Sequence, residues 1–309
     1  MPTLAAGHNR CPAGESLTLI GVFVQAYAIA SEFTLPVVIS QRFHTGDVEC
    51  GMGTATIIND EGWLATAAHM LDPLLLHAQQ QSAIAEYEAK VKKIMAGPGN
   101  QNGKQKRIRA LSAGQKRIAN ISYWWGMDGW SVPQWHILPE ADLALGKVDG
   151  FNPAKVAGYP TFRKPSDVRI GASVCRLGFP FHEAKATYDE KADQFTLEPG
   201  TLPAPRFPNE GIVTRFLEAG TSSVGIDVHF LETSSPGLRG QSGGPIFDTD
   251  GRVLAIQSQT THLPLGFSPE VDVDGRKVTE HQFLNVGVGV HSETVIAFAT
   301  LHGVTVAVR

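Results

Sequence analysis

The chain has 309 residues, 42% of them hydrophobic and 18% charged, and its formal net charge at pH 7 is −4. A chain of this length and composition can bury a substantial core, and its small net charge gives no reason to expect binding to nucleic acid or to a membrane surface. Thirty-two glycines and nineteen prolines, together with many Val, Ile and Thr, predict short strands joined by turns.

The N-terminal region contains the best candidate for a targeting segment. Residues 1–16 are expected to form an irregular arm. The stretch 17–30 is apolar but too short to span a membrane, Gln25 interrupts it, and Glu15 stands where a secretory signal carries basic residues. We predict a buried strand at 17–30, with an export signal as the alternative.

The cysteines bear on the compartment and on metal binding. Cys11, Cys50 and Cys175 are odd in number and have neither the spacing of a disulfide framework nor that of a zinc site. We therefore expect a reducing, cytoplasmic setting and no metal site.

A hairpin is predicted before residue 70. Further strands are expected near 35–43, 53–59 and 62–66, and the segment 59–62, Asn-Asp-Glu-Gly, has the residue types that a tight hairpin turn requires. The strand Trp63-Leu64-Ala65-Thr66 then places His69 just beyond its end.

Residues 72–125 are predicted to be a helical insertion. Asp72 and Pro73 are suited to the N-cap and the first helical position, and strong helix formers fill 74–95. One face of this helix is apolar, because four residues recur at spacings of three and four: Ile84, Tyr87, Val91 and Ile94. Residues 96–120 are expected to form an exposed loop or a second short helix.

The insertion also concentrates positive charge between residues 90 and 117. Nine Lys and Arg against two Glu give residues 86–120 a net charge of +7. The two interpretations are a solvated surface and a docking surface for an acidic protein partner. Nucleic acid is not expected, since no RNA- or DNA-binding signature accompanies the charge.

The second half of the chain repeats the pattern of short strands. The segment 149–168, with three prolines, is expected to cross between two domains. We predict an N-terminal arm at 1–16, a first domain at 17–160 and a second at 161–309. Strands are expected at 173–179, 211–216, 225–232, 253–259 and 283–290, with a surface excursion at 183–210 and a terminal helix at 293–301.

Three separated motifs carry chemistry. They are Thr66-Ala67-Ala68-His69, Ala141-Asp142-Leu143-Ala144-Leu145 and Gly240-Gln241-Ser242-Gly243-Gly244-Pro245. A serine hydroxyl is a poor nucleophile at neutral pH unless an imidazole accepts its proton and a carboxylate orients that imidazole. Glycines around the serine permit positive φ and leave backbone N–H groups open to a developing oxyanion.

These motifs, in the order His, Asp, Ser, resemble the chymotrypsin-like (trypsin-like) serine peptidases, most closely their bacterial HtrA-type and glutamyl-endopeptidase-like branches. The resemblance covers about residues 45–300. It implies an all-β fold, a double six-stranded antiparallel β-barrel with a helical insertion in the first barrel and a C-terminal helix. It also implies a serine endopeptidase that cleaves polypeptides through an acyl-enzyme, with no cofactor.

The resemblance implies roles for individual residues. His69 is the expected base, Ser242 the nucleophile and Asp142 the orienting carboxylate, although Asp128 and Asp149 also lie between base and nucleophile. The oxyanion hole is expected in the segment Gly240, Gln241 and Ser242, with the N–H groups of Gly240 and Ser242 as donors. Residues expected to contact substrate are Gln257, Ser258, Gln259, Val288, Gly289 and Val290.

Specificity and activation are predicted from departures from the family pattern. Pro236 stands where enzymes that select Lys or Arg carry Asp, so we do not expect that preference. Val288 and Val290 predict a small or medium apolar side chain, and His291 leaves an acidic or Gln side chain as the alternative. Gln241 cannot form the ion pair with a new N-terminus that activates animal relatives.

Two other functions remain open at this stage. One is an esterase-like or self-cleaving hydrolase with the same three residues. The other is a protease-derived binding or scaffold module whose catalytic geometry is not assembled.

Overall fold

The computed structural model describes residues 21–112 and 116–309. These residues build two mainly antiparallel sheets with few helices, which confirms the predicted double β-barrel. The predicted arm at 1–16 and the start of the strand predicted at 17–30 lie outside the described residues.

The described part begins with a helix, α1 (Val24–Phe33), so the strand predicted at 17–30 is wrong. Ala26, Ala30 and Phe33 are fully buried, and their spacing of four and three is that of one helix face. The stretch is apolar on nearly all sides, so the helical spacing of its buried residues does not stand out in the sequence. Although α1 precedes the first sheet, it packs on the second: the ring of Phe23, just before it, meets that of Phe247 edge-on at 6.2 Å.

The first sheet has six strands in the order β4-β1-β2-β3-β6-β5 and forms a half-open barrel. The hairpin turn predicted at 59–62 joins β2 to β3, and Gly62 has φ +87° there. The strands are β1 (Thr34–Phe43), β2 (Val48–Ile57), β3 (Trp63–Ala67), β4 (Ile118–Trp125), β5 (Gln134–Leu138) and β6 (Leu143–Lys147).

The second sheet closes into a barrel. Its order is β13-β8-β11-β12-β17-β14, and β13 also pairs with β14, which completes the ring; β7 and β18 extend it beyond β14. Its strands are β7 (Thr161–Phe162), β8 (Ser173–Arg176), β11 (Asn209–Thr221), β12 (Asp227–Thr233), β13 (Pro245–Phe247), β14 (Val253–Pro264), β17 (Phe283–His291) and β18 (Ala307–Val308). Separate hairpins are β9 (Ala186–Asp189) with β10 (Gln194–Leu197), and β15 (Glu270–Val273) with β16 (Arg276–Thr279).

The predicted insertion consists of helices α2 (Asp72–Ala96) and α3 (Gln101–Ser112). Asp72 is already helical (φ −52°, ψ −42°) and Leu71 is the N-cap, so the helix begins one residue earlier than expected. On the predicted apolar face Ile84 is buried, and α2 packs against β4. The terminal helix is α4 (Ser292–Leu301), which packs on the second barrel.

The predicted domain boundary at 160/161 falls between β6 and β7, the last strand of the first sheet and the first of the second. The division into domains at that point remains our proposal. Within residues 21–112 and 116–309, no helix is both long and apolar enough to cross a bilayer.

Candidate active site

Strand pairing brings His69 and Asp142 together. His69 lies in the turn that directly follows β3, and Asp142 directly precedes β6. These two strands are antiparallel partners, with Ala67 opposite Leu143, and Ala68 N donates to Asp142 O at 3.0 Å. Asp142 itself adopts a left-handed conformation (φ 52°, ψ 44°), which Asp tolerates better than most residues. Residues 73 positions apart therefore meet at one end of the first barrel.

The carboxylate of Asp142 contacts both the ring nitrogen Nδ1 and the backbone N of His69. Its Oδ2 lies 2.9 Å and its Oδ1 3.1 Å from Nδ1, and Oδ1 also accepts from the backbone N of His69 at 2.9 Å. An ionised carboxylate can only accept, so the proton of the neutral imidazole is on Nδ1. Nε2 is consequently left as the basic nitrogen.

The other two candidate carboxylates lie elsewhere. Asp128 pairs with Lys155 at 2.8 Å, both about half exposed. The backbone N of Asp149 donates to Ser131 O at 2.9 Å, in the exposed turn after β6. Of the three carboxylates considered, the structure places Asp142 on His69.

A third residue, Ser258, completes the environment of Asp142. Its hydroxyl donates to Asp142 Oδ2 at 2.5 Å, and it is only 3% exposed. We expected Ser258 to contact substrate; the structure shows that its side chain orients the carboxylate instead. No local pattern could reveal this contact, because it joins residues 116 positions apart in different barrels.

These contacts set the ionisation of the pair. Burial pushes the pKa of Asp142 upward, but the hydrogen bonds from His69 and Ser258 outweigh burial and leave the pKa below its ordinary value. The hydrogen bond with Asp142 raises the pKa of His69 against an opposing effect of burial. Asp142 is thus ionised at neutral pH, and it favours the imidazolium that forms when His69 takes a proton.

The loop that carries Ser242 is fixed by the first barrel. Thr54 supplies two hydrogen bonds, from its N to Ser242 O at 3.0 Å and from its Oγ1 to Gly240 O at 2.6 Å. At Gly243, where φ is +86°, a Cβ would lie only 2.1 Å from Thr54 O. Only glycine fits that close approach between the two barrels.

The Ser242 hydroxyl is close to the middle of β14, where the strand has a bulge between Gln257 and Gln259. Its Oγ donates to Ser258 O at 3.4 Å. Across residues 21–112 and 116–309 no hydrogen bond joins this Oγ to His69, whose side chain is 43% exposed. Catalytic hydrogen bonds are often long in the unliganded enzyme and tighten when substrate binds.

The hydrogen bonds of the loop identify the available oxyanion donors. Gln241 N donates to Leu238 O at 2.9 Å, Gly243 N to Gln257 O at 2.8 Å, and Gly244 N to Gln241 O at 2.9 Å. Among the described residues, the N–H groups of Gly240 and Ser242 have no acceptor. The predicted segment is therefore corrected at Gln241, whose own N–H is already engaged.

The side chain of Gln241 has a different task. It is fully buried, its Oε1 accepts from Leu238 N at 2.9 Å, and its Nε2 donates to Phe207 O at 3.2 Å. Neutral hydrogen bonds of the Gln241 side chain thus fix the nucleophile loop, at the position where animal relatives use an ion pair. This function of Gln241 was not predicted, since its partners are set only by the fold.

Residues 53–256 match the trypsin-like peptidase domain family. This chain belongs to the trypsin-like peptidase family. One similar solved structure is "HtrA-type protease AlgW with tripeptide", at 17% identity and a TM-score of 0.44, covering 92% of this chain and 65% of that one. The chain thus spans less than two thirds of that protein. A sequence comparison with curated proteins found no match.

Two of the expected pocket residues of this trypsin-like peptidase do not line a pocket. Val288 is 3% exposed and Val290 fully buried in the main hydrophobic core. Successive strand residues face opposite sides, so both valines point away from the side of β17 that carries Gly287 and Gly289. The apolar pocket inferred from these valines is therefore wrong.

His291 does not line the pocket either. It caps α4, with Nδ1 accepting from Glu293 N at 3.1 Å, and its ring meets that of Phe216 edge-on. Burial lowers the pKa of His291 to about 4, and nearby His229 adds to this effect. A neutral imidazole that caps a helix is unsuited to binding an acidic side chain, so His291 is not the residue that would select one.

The expected substrate edge is only partly accessible. Gln259 is exposed, whereas Gln257 is buried and donates from Nε2 to Gln259 O at 3.0 Å and to Val288 O at 3.3 Å. Gly289 lies inside the barrel, where a Cβ would be 2.6 Å from Ile246 Cδ1. Of the expected substrate contacts, Gln259 is the one that the structure exposes.

Proposed function

We propose that the chain is a serine endopeptidase that cleaves polypeptides through an acyl-enzyme on Ser242. The observation that carries this is the pair of unengaged N–H groups at Gly240 and Ser242, on either side of the nucleophile loop's tight turn. Such donors stabilise the oxyanion of a tetrahedral intermediate, usually the largest single contribution to acyl transfer.

The proposed chemistry uses three side chains. Ser242 Oγ attacks the scissile carbonyl and gives its proton to Nε2 of His69, while Asp142 holds Nδ1 and stabilises the imidazolium. The imidazolium then protonates the leaving amine, and the C–N bond breaks to leave an ester on Ser242. Water, deprotonated by His69, attacks this ester; the C–O bond to Ser242 breaks, the imidazolium returns the proton to Ser242 Oγ, and the acid product leaves.

A fluorophosphonate that phosphorylates reactive serines tests the proposal. We expect stoichiometric labelling of the wild-type protein and none of Ser242→Ala, with Ser223→Ala, which removes an exposed hydroxyl elsewhere in the second barrel, labelled like wild type. Absence of labelling in a folded wild-type protein would favour a scaffold without an assembled site. Labelling combined with cleavage of esters but not of any peptide would favour the esterase-like alternative.

The pH dependence of turnover is a second consequence. His69 is a base only when neutral, and its pKa lies above the ordinary 6.5 because of Asp142. We therefore expect kcat/KM for a neutral peptide to rise with pH along a limb whose midpoint is above 6.5. In Asp142→Asn the residual activity should show that limb at lower pH. A wild-type midpoint below 6.5 would contradict the contact with Asp142 as the dominant influence.

We further propose that an acidic protein docks on the basic insertion and that the protein works in a reducing cytoplasm. Lys92, Lys93 and Lys106 are exposed on α2 and α3, whereas Lys104 and Arg107 donate to the carbonyls of Met95 and Pro98 at the turn between these helices. The three exposed lysines do not make the contacts of that turn, and their positive charge can attract an acidic partner. Cys50 and Cys175 are free thiols, which is compatible with reducing conditions.

A further inference from the structure

Arg176 is an isolated positive charge inside the second barrel. It ends β8, is 1% exposed, and is the largest fully buried side chain among the described residues. Nη1 donates to Ser235 O at 2.7 Å and Nη2 donates to Thr233 Oγ1. Within residues 21–112 and 116–309 no carboxylate pairs with it, and Nε has no partner. Burial lowers its pKa to about 10, so it remains a cation at neutral pH.

An uncompensated buried charge is unusual. Removing a guanidinium from water is strongly unfavourable unless an anion or a full set of acceptors replaces the water. Arg176 has two acceptors for five N–H groups, and both are neutral. By contrast, the buried carboxylate of Glu232 in this barrel is paired, with the half-exposed Arg215 at 2.6 Å. The buried charge of Arg176 is therefore not balanced by an anion among the described residues.

Arg176 contacts the segment that leads to Ser242. The segment leading to Ser242 and the strand leaving Ser258 form two walls, joined by a hydrogen bond from Thr260 Oγ1 to Gly237 O at 2.6 Å. In the proposed reaction the carbonyl carbon of the residue before the cleaved bond, the P1 residue, contacts Ser242 Oγ, so its side chain begins next to these two walls. Arg176 binds the base of the first wall through Ser235 O.

Glycine lines the same region. At Gly287 a Cβ would lie 2.4 to 2.7 Å from the guanidinium of Arg176, and at Gly237 it would lie 2.2 Å from Gln257 Nε2. Because neither residue has a side chain, the backbone at Gly287 and at Gly237 approaches these polar groups directly.

Two more buried polar atoms at this place have no partner. Ser235 Oγ and Gln257 Oε1 join Arg176 Nε as orphans. Leaving such atoms unsatisfied is costly, and an incoming ligand that satisfies them recovers that cost. Arg176 Nε and the Ser235 hydroxyl can both donate, and Nε belongs to a cation, so these two groups fit an anion that accepts hydrogen bonds. Gln257 Oε1 is an acceptor and would need a donor instead.

We propose that Arg176 is a specificity-determining residue and that the peptidase cleaves after acidic residues, with the carboxylate of a P1 glutamate or aspartate accepting from Arg176 and Ser235 Oγ. This rests on the proposed function, because it assigns the P1 preference of that same site. In the free enzyme the bond between Thr260 and Gly237 joins the two walls, so entry of the P1 side chain breaks that bond and exchanges it for charged contacts. A basic P1 side chain is repelled by Arg176, and an apolar one leaves its charge uncompensated.

A matched series of peptides that differ only at P1, with Glu, Asp, Gln, Ala or Lys, tests the assignment in the wild-type enzyme. Glu and Gln have the same shape, so their kcat/KM ratio isolates the charge. We expect Glu to exceed Gln by roughly 10- to 100-fold, the range for a hydrogen bond to a charged group, and Lys to be the poorest. Gln or Ala equal to or better than Glu would overturn the proposal.

The variant Arg176→Met identifies the residue responsible. We expect it to lose the preference for Glu over Gln while still cleaving the Gln and Ala peptides. Arg163→Met, which removes a guanidinium paired with Asp248 in the same barrel, is the control and should keep the wild-type ranking. A Glu preference that survives in Arg176→Met would exclude Arg176 as its source. If Arg176→Met does not fold, the wild-type series still decides the preference.

Fluorophosphonate labelling of Ser242 separates this inference from the proposed function. Labelling with no preference for an acidic P1 residue refutes the inference alone. No labelling of the folded protein refutes the proposed function, on which the inference depends.

Discussion

Asp142→Asn is expected to lower kcat by a factor of about 10⁴ while leaving the protein folded, as in the corresponding change in chymotrypsin-type enzymes. The Asp142 carboxylate accepts from the ring nitrogen Nδ1 and from the backbone N of His69. An amide NH₂ at the same place donates to Nδ1, which then becomes the acceptor and leaves the proton on Nε2. A protonated Nε2 cannot take the proton of Ser242. Steady-state turnover of a peptide and a thermal unfolding curve measure the two effects.

Asp128→Asn is the matched control. It makes the same chemical change in a carboxylate that pairs with Lys155 at the surface and does not contact His69 in the described residues. We expect turnover within about twofold of wild type, because exposed ion pairs contribute little. If Asp142→Asn loses less than about tenfold, or Asp128→Asn loses as much as Asp142→Asn, the assignment of the orienting carboxylate is wrong.

The sequence predicted those features whose signal is local. The hairpin turn at 59–62, the apolar face of α2 and the glycine-rich loop at Ser242 each depend on neighbouring residues. His69 and Asp142 could be placed because each directly adjoins a strand, and antiparallel strands need only pair for these ends to meet. The resemblance to a known family supplied that pairing.

Local signals misled where one composition fits two structures. The stretch around α1 is apolar enough for a buried strand, and its helical period involves only three buried residues. Val288 and Val290 suggest an apolar pocket in the sequence because apolar side chains commonly line such pockets. Which face of β17 meets the pocket depends on strand register, and a shift by one residue exchanges the two faces.

The remaining features of the site arise from contacts between distant segments. Ser258 reaches Asp142 from another barrel, Gln241 binds Phe207, and Arg176 binds Ser235. None of these pairs shares a motif or a spacing. Each of these contacts involves a segment that adjoins the proposed site. The three residues proposed for catalysis could be named from the sequence, whereas these long-range contacts required the structure.

Gly240→Ala is the second large effect that we expect, because it disturbs the oxyanion hole without touching the three catalytic side chains. Gly240 has φ +100°, which alanine adopts only with strain, and its Cβ would lie 2.6 Å from Phe179 O and 3.0 Å from Phe179 C. These are backbone atoms, so relief requires movement of the loop and of the Gly240 N–H. Loss of one oxyanion donor typically lowers kcat by about 10² to 10³.

Gly220→Ala separates this loss from the general cost of alanine at positive φ. Gly220 has φ +84° with no atom within 4 Å of a Cβ, and it lies in β11. Both variants should lose some thermal stability, but only Gly240→Ala should lose kcat. The measurement is turnover per active site, counted by fluorophosphonate titration of Ser242, so that unfolded protein does not enter the comparison. Since Gln241 N is already bound to Leu238 O, it cannot replace the displaced donor without breaking that bond. A folded Gly240→Ala enzyme with kcat within tenfold of wild type would mean that the oxyanion is stabilised elsewhere, and the hole assigned to Gly240 and Ser242 would be wrong.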